Sequence, residues 1–132
     1  MVDPFMEHPT GEFETAVDAM ADTIQRLRSL PEWNDWITFC AQGMGARVDT
    51  YHMANIRIRR DEIELSPAID VESITRLAGV PPLCLVAHGD CYSVGGASPD
   101  QAAQVLDAIF RHHLGIRPHP DEGDDYAVGA EW

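Results

Sequence analysis

The chain has 132 residues, with 22 aspartates and glutamates against 9 basic residues and a formal net charge of −13. Hydrophobic residues make up 45% of it, which fits one folded domain and excludes an intrinsically disordered chain. No apolar run approaches the roughly 18 residues of a membrane helix, and the N-terminus lacks the basic and apolar regions of a signal peptide. We therefore expect a cytoplasmic protein without a membrane partner.

The charge has an unusual composition, because every basic residue is an arginine and lysine is absent. An acidic chain without lysine is typical of halophile adaptation with a GC-rich bias, since molar salt screens the repulsion between dense carboxylates. A less favoured interpretation is an acidic inhibitor that mimics nucleic acid. No basic patch indicates nucleic-acid binding, although net charge alone does not exclude it.

The first half of the chain predicts a flexible segment at 1–9 followed by two helices. Phe13, Val17 and the apolar residues after them recur at helical spacing, which indicates a first helix. Pro31 then starts a second helix, in which Cys40 would be a buried packing residue. The apolar positions of this second helix are Trp33, Trp36, Ile37, Cys40 and Met44. A strand over residues 33–44 is the alternative that the pattern leaves open.

A β-hairpin is predicted with its turn at Arg60-Asp61. In that register Arg59 faces Glu62 and Arg57 faces Glu64, while the isoleucines between them fall on the opposite face. The cluster of arginines at 57, 59 and 60 is therefore interpreted as a neutralised outer face and not as an anion site.

A short helix follows from the cap Asp70 to about Leu77, and the segment CLVAHGDC at 84–91 then predicts a second hairpin. Its turn lies at Gly89-Asp90, and His88 faces Cys91. Such a pair is the minimum for an activated thiol, and with Cys84 it would supply three metal ligands. An extended strand separates Cys84 from His88 by about 13 Å, so a structural hairpin is favoured.

The last helix has a strong start signal, with Ser98 as N-cap, Pro99 at the first position and Gln101 completing a capping box. We place the single α+β domain at residues 10–117 and an acidic tail with an aromatic end at 118–132. The alternation of Tyr126, Val128 and Trp132 predicts an extended segment that either adds a strand to this sheet or docks on a partner.

Together these elements give the order α-α-β-β-β-α-β-β-α. It predicts an α+β fold in which helices pack mainly on one face of an antiparallel sheet of about five strands. The favoured function is non-enzymatic: a binding or regulatory domain whose partner is another protein or a second copy in a homodimer. Its partner-binding residues would be Tyr126, Val128 and Trp132, with no cofactor and no catalytic or metal residues.

The alternative function is a metal-binding protein or a cysteine-dependent enzyme. It would use Cys91 and His88, with help from His52 or Cys84. The acidic mimic of nucleic acid is the second alternative.

Overall fold

The structure is a computed structural model that describes residues 15–30, 32–44, 51–65, 69–89, 91–118 and 126–131. The predicted flexible segment 1–9 and Trp132 lie outside these ranges. The regular elements are α1 (Ala16–Arg28), β1 (Ile37–Met44), β2 (Tyr51–Arg59), β3 (Glu62–Glu64), α2 (Val71–Ala78), β4 (Val86–His88), β5 (Cys91–Ser93), α3 (Pro99–Ala108) and β6 (Ala127–Glu131). A 3₁₀ turn over Pro82–Cys84 precedes β4, and a π turn over Ile109–His113 extends α3.

The strands form one antiparallel sheet in the order β4-β5-β3-β2-β1-β6. The predicted α+β class is confirmed, with six strands among the described residues instead of about five. The three helices and the inward side chains of the sheet share one buried cluster. The fold is therefore a two-layer arrangement, with helices on one face of the sheet.

The predicted second helix is wrong, because residues 37–44 form strand β1. Ile37, Phe39 and Ala41 alternate into the core and are at most 1% exposed, while Thr38 and Cys40 between them are half-buried. This period of two is the period of a strand. Pairing with β2 on one side and β6 on the other supplies the backbone hydrogen bonds of β1. Strand β2 is the next strand along the chain, whereas β6 is distant in the sequence.

The three helices begin at polar caps. Thr15 accepts a hydrogen bond from the backbone N–H of Asp18 at 3.1 Å, and Asp70 accepts one from Ser73 at 3.3 Å. Helix α3 has the predicted capping box, in which Ser98 and Gln101 each bond the backbone N–H of the other. These bonds satisfy donors that the first helical turn leaves without partners.

The hairpin between β2 and β3 has the predicted register. Arg59 pairs with Glu62, Ile58 with Ile63 and Arg57 with Glu64. Both arginines also form ion pairs across the strands, at 3.6 Å to Glu62 and 3.3 Å to Glu64. The interpretation of a neutralised outer face therefore holds for these two arginines.

Arg60 differs from its neighbours, because it lies in the turn with φ at +51°. Its guanidinium donates to the carbonyl oxygens of Leu30 at 2.9 Å and Trp33 at 3.1 Å. Those carbonyls belong to the connection between α1 and β1. Arg60 thus fixes the hairpin turn to that connection and is not part of the outer face of the sheet.

Arg28 makes a second link of this kind at the end of α1. Its guanidinium donates to the carbonyl oxygens of Ala97 at 2.6 Å and Val94 at 3.0 Å, and it forms an ion pair with Asp61 at 3.1 Å. The backbone N–H of Val94 in turn donates to the carbonyl of Asp61 at 2.7 Å. One side chain therefore joins α1, the β2–β3 turn and the segment that leads into α3.

The C-terminal segment adds the strand that the alternation of its residues predicts. Strand β6 pairs with β1, and Tyr126 and Val128 are buried in the core of the same chain. The Tyr126 hydroxyl donates to Asp107 at 2.7 Å, and Arg111 donates to the same carboxylate oxygen at 2.9 Å. The predicted domain boundary at 117 thus has a strand of the same sheet beyond it.

None of the helices in the described ranges is long and apolar enough to span a bilayer.

Candidate functional site

The hairpin of β4 and β5 brings together the two residues of the proposed thiol or metal site. His88 is the register partner of Cys91, and Gly89 between them has φ at +61°, as a primed hairpin turn requires. His88 is exposed and Cys91 is half-buried. Both residues lie on the same face of the hairpin, so the pair has the predicted placement.

The other two candidates do not join this pair. Cys84 belongs to the 3₁₀ turn and is 2% exposed. His52 lies on β2 opposite Gly43, and strands β3 and β5 separate β2 from β4. No three His, Cys, Asp or Glu residues within the described ranges are grouped as metal ligands. The thiol or metal site at Cys91 and His88 stays a prediction, because the described residues group no third metal ligand with this pair.

The sheet has a second face, opposite the helices, on which each strand presents alternate residues. We call it the outer face. One end of it is formed by β2, β1 and the edge strand β6, and the registers align their outward residues in three rows across these strands. The rows are Arg57–Thr38–Glu131, Asn55–Cys40–Gly129 and Met53–Gln42–Ala127.

The first row and the strand next to it carry the charges of the outer face. Arg57 and Arg59 are paired with the glutamates of β3, and both guanidinium groups also lie over the ring of Trp36, at 5.2 and 4.8 Å. Arginine over tryptophan is a favourable cation–π arrangement. The charged part of the outer face is therefore ordered by contacts within the chain.

The second and third rows contain no charged residue. They form what we call the neutral patch, which consists of Asn55, Cys40, Gly129, Met53, Gln42 and Ala127. Met53 is 53% exposed, and the other five are exposed or half-buried. On a chain with 31 charged residues among 132, six outward residues without a charge form an unusual surface. Asn55 and Gln42 are polar amides, and Met53 is the large apolar side chain of the group.

Three further large apolar side chains are exposed outside the neutral patch. Leu77 at the end of α2, Leu83 in the 3₁₀ turn and Val86 on β4 are 50%, 77% and 44% exposed. Strand β4 has only three residues and all are exposed. Short edge strands are a common protection against pairing with other chains, so this edge is less suited to extended docking than the outer face.

The partner-binding residues inferred from the sequence take a different position. Tyr126 and Val128 point into the core, at 0% and 3% exposure, and Trp132 lies outside the described residues. Contact of this segment with a partner therefore stays a prediction. The outward residues of β6 are the ones between them, Ala127 and Gly129, which sequence analysis did not single out.

The neutral patch was missed because its signal is non-local. The helical spacing of residues 33–44 predicts a buried Cys40, and the sequence around Met53 does not alternate clearly between apolar and polar residues. Only the alignment of β1 with β2 and β6 brings these residues together. A strand interpretation of ITFCAQGM would have placed Thr38, Cys40 and Gln42 on one face, which is the part of the signal that sequence alone contains.

Comparison of the chain with protein-family models, with curated proteins and with solved structures found no match.

Proposed function

We propose that this protein is a non-enzymatic interaction domain that binds another polypeptide through the outer face of its sheet. The observation that supports the proposal is the neutral patch on a chain with a net charge of −13. The cores of protein interfaces are depleted of charged residues, and methionine is enriched there. Met53 at 53% exposure fits such a core.

The charge of the chain explains why an uncharged surface is informative. Burial of a carboxylate in an interface carries a desolvation cost that only a well-placed partner offsets. On a protein with a dense acidic surface, docking is therefore least costly where the surface lacks unpaired acids. The second and third rows satisfy this condition, and Arg57, Arg59 and the glutamates of β3 border them as a polar rim.

Site-directed crosslinking tests the proposal. A benzophenone maleimide is attached to Cys40 in a Cys91→Ser chain, where Cys84 is buried and reacts slowly. The labelled chain is irradiated in an extract of its source cells at native salt. We expect adducts of defined mass from Cys40. The matched control carries the probe on Gln104→Cys, on the exposed side of α3, in a chain without Cys40 and Cys91.

Equal yields from both positions, or none from Cys40, would contradict a binding role for the outer face. The mass of the adduct also identifies the class of partner, because a self-complex has twice the 14.6 kDa of the chain.

A further inference from the structure

We infer that the outer face binds a second copy of the same chain, in a two-fold dimer whose axis runs parallel to β1 between the two sheets. This inference rests on the proposed function and names its partner. It comes from the three rows of the outer face. When a second copy is rotated about an axis parallel to β1, each row faces the same row of that copy and the two are complementary.

The geometry follows from the registers. A two-fold axis that lies between the sheets and parallel to β1 places β1 over β1 of the second copy. The same rotation places β2 over β6 of the second copy and β6 over its β2. Positions along the strands do not change, so residues in the same row face each other. Arg57 then faces Glu131, Asn55 faces Gly129 and Met53 faces Ala127, and each of these contacts occurs twice.

The first row supplies charge complementarity. Arg57 and Glu131 lie on opposite sides of Thr38 in one chain, so the rotation brings each over the opposite charge of the other chain. Both side chains are exposed in the single chain. Opposed charges of this kind select partner and orientation.

The second and third rows supply complementarity of size. The outward residues of β2 are large, and those of β6 are glycine and alanine. Two sheets pack about 10 Å apart, with side chains from the two faces filling the space between them. A long Met53 above Ala127 and an Asn55 above Gly129 fill that space without collision.

The alternative face-to-face orientation fits less well. With the two-fold axis perpendicular to the strands and centred on the middle row, β2 lies over β2 of the other copy. Arg57 then faces Met53, and Glu131 faces Ala127. Two charges of each chain would be covered by apolar side chains, which is costly. The orientation along β1 is therefore the one that we propose.

The area sets the expected strength. Three strands about 4.8 Å apart, aligned over the five residues of β6 or about 17 Å, give a flat area on the order of 250 Å² on each chain. This is well below the roughly 800 Å² per partner of a standard interface, in the range of weak and transient complexes. We therefore expect a reversible dimer whose population depends on protein concentration.

The test is a charge-swap cycle measured by sedimentation equilibrium. Arg57→Glu and Glu131→Arg each place like charges opposite one another twice, and we expect each to weaken association at least tenfold. The double variant Arg57→Glu/Glu131→Arg restores opposite charges and should return most of the lost affinity. The measurements are made at the lowest salt concentration that keeps the wild-type chain folded, because salt screens charge pairs.

Matched controls separate the dimer from effects within one chain. Arg59→Glu loses the same kinds of contact as Arg57→Glu, an ion pair with β3 and a position over Trp36, but it lies outside the three rows. It should leave the association constant within about twofold of wild type. Leu83→Glu, at an exposed apolar side chain outside the neutral patch, should also leave it unchanged.

Two further measurements keep the result decisive if a charge variant unfolds. Met53→Glu disturbs none of the Arg57 contacts and should also abolish the dimer. A short bis-maleimide should link Cys40 to Cys40 in the Cys91→Ser chain. A direct disulfide is not expected, because sheets about 10 Å apart exceed the Cα separation of about 4.4–6.8 Å that a disulfide spans.

Any one of three results would overturn the inference. They are a wild-type chain that stays monomeric at 100 µM, a double variant that associates no more tightly than the single variants, and loss of the dimer through Leu83→Glu. The proposed function is judged separately. Adducts from Cys40 with a mass other than twice that of the chain would support a binding face for a different protein, while the dimer inference would fail.

Discussion

Removal of the Arg28 side chain should destabilise the fold more than removal of any other arginine near it. Arg28→Met keeps the length of the aliphatic chain and removes the guanidinium, which donates to the carbonyls of Ala97 and Val94 and pairs with Asp61. A hydrogen bond from a charged donor contributes about 1.5–3 kcal/mol. The ion pair adds at most about 1 kcal/mol, because Asp61 is nearly half exposed.

Solvent reaches part of this site, since 22% of the Arg28 side chain is exposed. The lower end of the range for a charged hydrogen bond, about 1.5 kcal/mol, therefore applies. Two bonds then give a loss of about 3 kcal/mol in the free energy of unfolding for Arg28→Met. With a urea dependence of about 1.5–2 kcal/mol per molar, the unfolding midpoint should fall by about 1.5–2 M.

Urea titration followed by circular dichroism at constant salt is the assay. Arg26→Met is the matched control, because Arg26 is two residues away in the same helix and, among the described residues, its side chain forms a surface ion pair with Asp22. It should cost about 0.5 kcal/mol. If the two variants had equal midpoints, the link between α1, the β2–β3 turn and α3 would contribute nothing, and the reasoning would be wrong.

Other expectations follow from the same structure. Lowering KCl from molar to millimolar concentration should reduce the melting temperature, because dilution unscreens the charge of −13; an unchanged melting curve would refute halophile adaptation. Gly43→Ala should lower the unfolding midpoint in urea strongly, because a Cβ there would meet the carbonyl oxygen of Arg117, whereas Gly95→Ala has room and should cost far less. Tyr126→Phe should cost at least about 1 kcal/mol in the same assay through the lost bond to Asp107, and unaltered stability would show that this bond is not needed. Cys91→Ser should preserve fold and self-association, and Cys91 should alkylate at neutral pH no faster than a model thiol; rapid alkylation would revive the enzyme alternative.

The local elements of the fold were predictable from the sequence. The caps at Asp70 and Ser98 and the register around Arg60-Asp61 depend on residues within a few positions of each other, and these expectations are confirmed. The contacts of Arg28 and Arg60 were not predictable in the same way. A local pattern can place a charge near a helix end, but it does not show that the Arg28 guanidinium reaches carbonyls 66 and 69 positions away.

The segment from Trp33 to Met44 shows where local reasoning failed. Its apolar residues fit both a helical and an alternating spacing. Strands β2 and β6 stabilise the extended form, because they form backbone hydrogen bonds with both edges of β1. The same strand pairings, one with the next strand β2 and one with the distant strand β6, create the neutral patch. The error in the second helix and the failure to find the candidate site therefore have one physical cause.

The pairing of β1 with β6 also has a consequence for synthesis of the protein in the cell. Roughly eighty residues separate the end of β1 from the start of β6, which a ribosome adds in about 4–17 s at 5–20 residues per second. During that interval, one edge of β1 has no strand to pair with, and other nascent copies lie nearby on crowded polysomes. Unpaired edges of this kind favour aggregation. Slower initiation or lower temperature during recombinant expression should therefore raise the soluble yield, and a chain in which β6 is moved ahead of β1 by circular permutation should depend less on either.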